Sequence, residues 1–547
     1  MRREWLGAVI AVFLVSGESA WVPTARAQTV VLTARSVGEL ADDLNELARA
    51  VAPADERVGM VSGMIDQLKK GELVKGLDTG RLVGVAGSLP ENPGDPPSLL
   101  AAVPVTDFAQ FMDSLKGFGL TVDDAGVPGF AHKIVSPDGT QTFYALEANK
   151  YAIVSMVPTG AEKLKALDPA SWRPTTVADS DLALAVQIAK IPAGIKDQFL
   201  TAFEAQVAQQ DPQKPGESDA EYRGRMASTR LAKEAVISLI RDGDSVSLGL
   251  NLDRQKREAS LELTSAAKAG TSMATALRGF GARRSRFDFL AAGAPAGVGW
   301  LSIPIPAELK AALTESIRSE HNKRQETLKG EEKTKDARAF ERFEKLVDMD
   351  AADLGVAFRA PGDPSGKPSI VLGLKVKPAD ADKAFRELMA DAPPEKGTKL
   401  DYDVAKADDG TAIHRITLAD EALDKDTIRM FGKAPVHLAF PGNAMIVTFA
   451  ENGLDAIKEA VAAFKRAPAG PGSPGSVELH LLPASRLAEE NAGQVREAAT
   501  ETFKGEDAGR DSIRFSLKGD DQTIRLRFAV DYPAFAYLAK LGSLQAK

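Results

Sequence analysis

Matching patterns recur about 268 residues apart, and this recurrence constrains the fold more than any other feature of the chain. Leu82–Leu115 reads as strand, proline-rich turn, strand and amphipathic helix, and Leu354–Leu388 reads the same way. Pro93-Gly94-Asp95-Pro96 in the first stretch returns as Pro361-Gly362-Asp363-Pro364 in the second, an offset of 268. DSVSLGL from Asp244 returns as DSIRFSL from Asp511 at an offset of 267, and Leu40 aligns with Leu309 at 269. Three nearly equal offsets along 547 residues read as a twofold duplication. The expected halves are residues 28–284 and 285–547, with a hinge at Gly279–Arg286.

A weaker fourfold pattern lies inside that duplication. Strand, long helical stretch, strand, strand, helix occurs at 31–117, 182–280, 298–390 and 476–542. The first strands are Val30–Leu32, Leu182–Ile188, Val298–Ile303 and Val477–Leu482, and the closing helices begin near Asp107, Thr271, Asp380 and Asp531. Phe108, Phe111, Met112 and Leu115 fall at i, i+3, i+4, i+7, the spacing of one helical face. Ala381, Phe385, Leu388 and Met389 fall at i, i+4, i+7, i+8, again one helical face. Two hairpins are expected, at Ser136-Pro137-Asp138-Gly139 and Asp408-Asp409-Gly410, where glycine takes the positive φ that reverses a strand. Strands in meandering pairs, without strict βαβ alternation, predict an α+β fold with largely antiparallel sheets and helices on one face.

Residues 1–27 read as a secretory leader. Arg2 and Arg3 precede an apolar stretch, and Ala25-Arg26-Ala27 before Gln28 fits a small-x-small cleavage pattern. The apolar run is too short to span a bilayer, so no membrane span is expected once the leader is removed. The expected destination is the periplasm or the extracellular space. Residues 318–345 carry dense charge of both signs without a strict i,i+4 ion-pair design, and read as an exposed helical arm broken at Gly330. Pro468–Gly475 reads as a flexible connector.

The chemistry is marked by absences. There is no cysteine, which excludes disulfides, thiolate nucleophiles and zinc–thiolate sites. The net charge is −8, giving no basic footprint for nucleic acid. No two of the five histidines have helical metal-pair spacing. His132 and His414 sit in similar His-Lys-Ile and His-Arg-Ile runs. Aligning the Asp-Gly-Thr turns at Asp138 and Asp409 instead puts the two histidines on opposite hairpin strands, and they are read as separate strand residues. Asp348, Asp350 and Asp353 form the best acidic cluster but lack the glycine and bidentate Glu of a calcium loop. Gly366-Lys367-Pro368-Ser369 lacks the glycine spacing of a phosphate loop, and Pro368 lacks a backbone N–H, so it reads as a hairpin turn. Arg283, Arg284 and Arg286 form the one tight basic cluster, a candidate contact for an anionic envelope polymer. No catalytic residue, metal or cofactor is expected.

VTDFAQFMDSL (105–115), VSPDGTQTFYALEANKYAIVSM (135–156) and their second-half counterparts resemble repeated blocks in uncharacterised exported proteins of planctomycete-type bacteria. The resemblance implies export and duplication, and no site residue. The expected function is therefore an exported, non-enzymatic binding or scaffold protein with an unidentified envelope protein or polymer as partner. The alternatives are an extracytoplasmic hydrolase with a non-local site and a carrier of an apolar ligand held in an open cavity between sheet and helices.

Overall fold

The structure is a computed structural model describing residues 28–52, 56–90, 98–208, 212–217, 219–293, 295–347, 350–361, 366–377, 380–391, 397–419, 421, 423–467, 472–488 and 491–545. Residues 1–27 (with Ala25 and Ala27), Pro93–Pro96, Gly362–Pro364 and Asp348 lie outside the described residues. Gln28 is the first described residue and is buried. The fold is α+β, and the strand pairings run antiparallel. Contacts divide it into two compact units. The first holds the chain up to Gln206 with Ile237–Ala274 and Ala529–Ala536; the second holds Val207–Val236, Thr275–Phe528 and the chain from Tyr537. No helix among the described residues is long and apolar enough to cross a membrane.

Ten strands build the first unit: β1 (Val30–Ala34), β2 (Val83–Ser88), β3 (Ser98–Pro104), β4 (Thr121–Asp124), β5 (His132–Val135), β6 (Thr142–Ala148), β7 (Tyr151–Ser155), β8 (Leu182–Val186), β9 (Gly243–Asp253) and β10 (Glu258–Ala267). They pair in the order β4-β5-β6-β7-β3-β2-β1-β8-β9-β10. The second unit has β11 (Gly297–Pro304), β12 (Ala351–Arg359), β13 (Ser369–Lys375), β14 (Lys399–Lys406), β15 (Ala412–Thr417), β16 (Val436–Ala439), β17 (Ala444–Phe449), β18 (Gly475–His480), β19 (Ser512–Gly519) and β20 (Thr523–Asp531). Their order is β14-β15-β16-β17-β13-β12-β11-β18-β19-β20, the same path through ten positions. The helices expected near Asp107, Thr271, Asp380 and Asp531 begin at Phe108, Ser272, Ala381 and Tyr532.

Alternation along the strands gives each sheet two unlike faces, because successive side chains point to opposite sides. In the first unit one face is small: Thr33, Gly84, Ala86, Ala102, Ala183, Ala185, Ser247 and Gly249. Residues 157–180 lie flat on it, with Leu164, Leu167, Trp172 and Val177 buried. The approach is close enough that a Cβ on Gly84 would meet the Trp172 ring at 2.8 Å, and one on Gly249 would meet Ser180 Oγ at 2.0 Å. The second unit repeats the device with different residues. Phe287 lies against Gly355 and Gly373, where added Cβ atoms would stand 2.5 and 2.1 Å from its side chain. The other face of each sheet carries the large aliphatic residues.

Three expectations change. Gly279–Arg286 is not a free hinge: Gly281 packs against Gly519, and fully buried Ser285 donates to Asp353 at 2.7 Å. The charged arm is helical and broken at Gly330 as expected, into Ala307–Thr327 and Gly330–Leu346, but it does contain i,i+4 ion pairs, Lys335–Glu331 and Lys345–Glu341. The histidine alignment is also reversed. Asp-Gly turns close β5–β6 in the first unit but β14–β15 in the second, so they are not equivalent. The ladders instead place His132 and His414 at the same position. His132 pairs with Ala145 and Ala145 with Val154; His414 pairs with Leu438 and Leu438 with Val447.

Candidate functional site

The large-residue face of the first unit holds a cavity of about 260 Å³. Its floor is Val83 and Val85 of β2, Leu99, Ala101 and Val103 of β3, and Val154 of β7 with Met156 beyond it. Ile134 and Phe143 close one side, and Val37, Val74 and Leu77 the other. The roof is the helix Phe108–Lys116, which contributes Phe111 and Leu115, followed by Phe118 and Leu120. Asp107 caps this helix by accepting a hydrogen bond from the Gln110 N–H at 2.9 Å, so the apolar stripe begins where the sheet needs it. Every lining side chain is apolar apart from Gly84, which has none. Such a space gives water no polar partner and favours an apolar guest, as in an engineered ~150 Å³ apolar void that stays dry and takes up benzene.

The ladders place smaller residues here than in the second unit. The row His132–Ala145–Val154–Ala101–Val85 in the first unit corresponds to His414–Leu438–Val447–Leu372–Val356 in the second. Two alanines thus stand where the second unit has leucines.

Beside the cavity the helix Val37–Val51 carries a buried carboxylate. Asp43 is 2% exposed and pairs with Arg254; Asp181, 1% exposed, pairs with Arg35 at 3.0 Å and accepts from the Leu252 N–H at 2.7 Å. Burial first, and then the neighbouring Asp181, push the Asp43 carboxyl up to about 6, against the opposing pull of Arg254 and Arg35. The Tyr532 hydroxyl is buried in the same region without a hydrogen-bond partner among the described residues, and its pKa is raised by burial and by Asp43. This cluster fastens the helix to β9; it contains no open position for a substrate.

In the second unit the equivalent histidine is enclosed. His414 is fully buried among Phe385, Phe440 and Tyr402. The Asp403 N–H donates to its Nδ1 at 3.3 Å, so the ring proton sits on Nε2, which donates to Asp382 at 2.9 Å. Arg386 bridges Asp382 and Asp403 and lies over the Tyr402 ring. A register shift between Asp401 and Ala405, with Asp403 at φ 53°, turns the strand so that this N–H reaches the ring. With both nitrogens engaged and no exposed edge, His414 holds the fold together and has no route to a substrate.

The other sequence candidates disperse. Asp353 is buried under Ser285 and its pKa is raised by that burial, while exposed Asp350 pairs with Lys310. Arg284 pairs with Asp288, and Arg286 stacks on Phe464. Lys367 donates to the Arg429 carbonyl oxygen at 2.6 Å, at the turn entering β13. Among the described residues no three His, Asp or Glu side chains converge in a way that could hold a metal. Sequence reasoning offered an open cavity between sheet and helices only as an alternative and named none of its lining residues. Alternation of large and small residues in VGVAGS marks Val83 and Val85 as sharing the face that the cavity uses, but not what they meet there. No family model matches the chain, and no curated protein or solved structure matches it.

Proposed function

We propose that the chain is an exported binding protein, built by duplication, whose first unit holds an apolar ligand. The cavity of about 260 Å³ with only apolar side chains on its walls carries this reading. It favours the carrier of an apolar ligand over a scaffold alone, and over a hydrolase, which needs convergent polar groups in a cleft. The common strand order of the two units supports duplication, and the pattern Arg2-Arg3, apolar stretch, Ala25-Arg26-Ala27 supports export. The test is a titration of the chain beginning at Gln28 with the fluorescent fatty acid cis-parinaric acid. Saturable binding is expected, and Ala101→Phe, which fills the cavity from its floor, should weaken it at least about tenfold. Circular dichroism would confirm that the variant is folded. Absent or non-saturable binding, or binding untouched by a folded Ala101→Phe protein, would refute the proposal.

A further inference from the structure

The cavity is one end of a longer aliphatic track. Val85, on its floor, pairs across the ladder with Leu32 of β1, Leu32 with Leu184 of β8, Leu184 with Leu248 of β9, and Leu248 with Leu263 of β10. Direct cross-strand partners point to the same face, so these five side chains form one straight row perpendicular to the strands. Beyond the cavity the row crosses four strand spacings, ~19 Å at ~4.8 Å each. Leu184, Leu248 and Leu263 are 38%, 36% and 39% exposed, although they occupy the middle of an aliphatic face. The helix Val37–Val51 flanks the track. Val37 touches the cavity, and Leu40, Leu47 and Ala50 pack beside Leu250, Leu252 and Ala259. Leu44, on the same helical face as Leu40 and Leu47, is 46% exposed. Floor and flank therefore both carry aliphatic surface that the fold leaves uncovered.

We infer that the ligand is a lipid with a long, linear acyl chain, whose end fills the cavity and whose remaining methylenes lie along Leu32, Leu184, Leu248 and Leu263. This rests on the apolar-ligand reading of the cavity and adds chain length and direction to it. The occupant follows from the shape of the surface. The row runs through an aliphatic face on which Val30 and Leu261 beside it are also exposed, its own members are all aliphatic, and it meets the partly open cavity at one end. A flat, broad partner surface could cover the row but not enter the cavity. A small compact guest could fill the cavity but would leave the row bare. At ~30 Å³ per methylene, about the share of liquid volume of one water, the cavity alone takes roughly nine carbons.

Competition of saturated acids from octanoic to octadecanoic against cis-parinaric acid tests this. If the track is used, affinity keeps rising past decanoic acid toward hexadecanoic acid, by up to about fourfold per added methylene. Leu248→Ser with Leu263→Ser should weaken hexadecanoic acid at least about tenfold and leave octanoic acid unchanged. Leu184→Ser alone should show the same selectivity on a smaller scale, which guards against a folding defect in the double variant. A plateau at octanoic or decanoic acid, with track variants silent, would overturn the inference while the cavity reading stands. A track variant that alters the oligomeric state and not the chain-length profile would also overturn it, assigning the row to a second copy of the chain. No displacement by any acid would remove the cavity reading itself.

Discussion

The two units follow one strand path, yet they treat the same place on the sheet in opposite ways. In the first, His132–Ala145–Val154–Ala101–Val85 leaves room beneath the roof helix, and the room is a cavity. In the second, Leu438 and Leu372 replace the two alanines, and Phe385, Phe440 and Tyr402 close around His414. A backbone scaffold thus sets where a site could be, while Leu438 and the aromatic shell of His414 fill one end of the row in the second unit and Leu372, further along it, stays 45% exposed. Around Leu438 and His414 the second unit shows what the first gives up: leucine volume, aromatic contact and an ionic cap. In that reading the second unit is the structural standard and the first is the specialised one.

The largest effect should come from making the filled unit resemble the open one. Leu438 is 3% exposed, so Leu438→Ala removes buried methyl groups and leaves a void, at a cost of about 2–5 kcal/mol. Chemical denaturation would read this as a lower midpoint for the transition that carries the second unit. A loss below about 1 kcal/mol would mean that the walls collapse around alanine, and that Leu438 is not what keeps this unit closed.

A second difference is electrostatic. The first unit buries the Asp43 carboxyl next to its open face, with a folded-state pKa of about 6 against a usual value of 3.8. The folded protein therefore binds a proton that the unfolded chain has released. That contribution is fully present below about pH 4 and is lost as pH rises through about 6. Relative to Asp43→Asn, which does not titrate, the natural chain should lose up to about 3 kcal/mol across that window. Parallel denaturation curves for the two proteins at several pH values would measure it. Curves that keep a constant separation from pH 4 to pH 7 would show that Asp43 titrates normally and that Arg254 neutralises it fully.

How much of this the sequence revealed depends on whether the cause was local. The start of the helix Phe108–Lys116 was legible because Asp107 and the apolar positions Phe111, Met112 and Leu115 act within a few residues of one another. The strands of β8, β9 and β11 were legible from their alternation for the same reason. The cavity was not, because it depends on which residue of β3 faces which residue of β7. Ala101 meets Val154 only after the chain has left β3 through the helix Phe108–Lys116 and returned along β4, β5, β6 and β7. The histidine equivalence failed for a related reason. Asp-Gly is a strong local turn signal, but it says only that a strand reverses, not which hairpin of a repeated path is reversing. The short His-Lys-Ile and His-Arg-Ile match was the better guide, since it tracks one strand at one ladder position.

That equivalence gives the smallest and most selective prediction. His414 and His132 occupy the same ladder position, so His414→Phe and His132→Phe compare one substitution in two surroundings. His414 donates to Asp382 and accepts from the Asp403 N–H inside an aromatic shell; phenylalanine keeps the ring but loses both bonds. Arg386 still pairs with Asp382 and Asp403, so neither carboxylate is abandoned and the loss should stay near 1–3 kcal/mol. His132 packs on Phe108 with ring centroids 5.6 Å apart and, among the described residues, has no ion-pair partner. Its replacement should fall within about 0.5 kcal/mol, typical of a site without a specific bond. Equal losses at the two sites would mean that the Asp382–His414–Asp403 connection contributes nothing beyond ring packing. The closed state of the second unit would then rest on Leu438 and its aromatic neighbours alone.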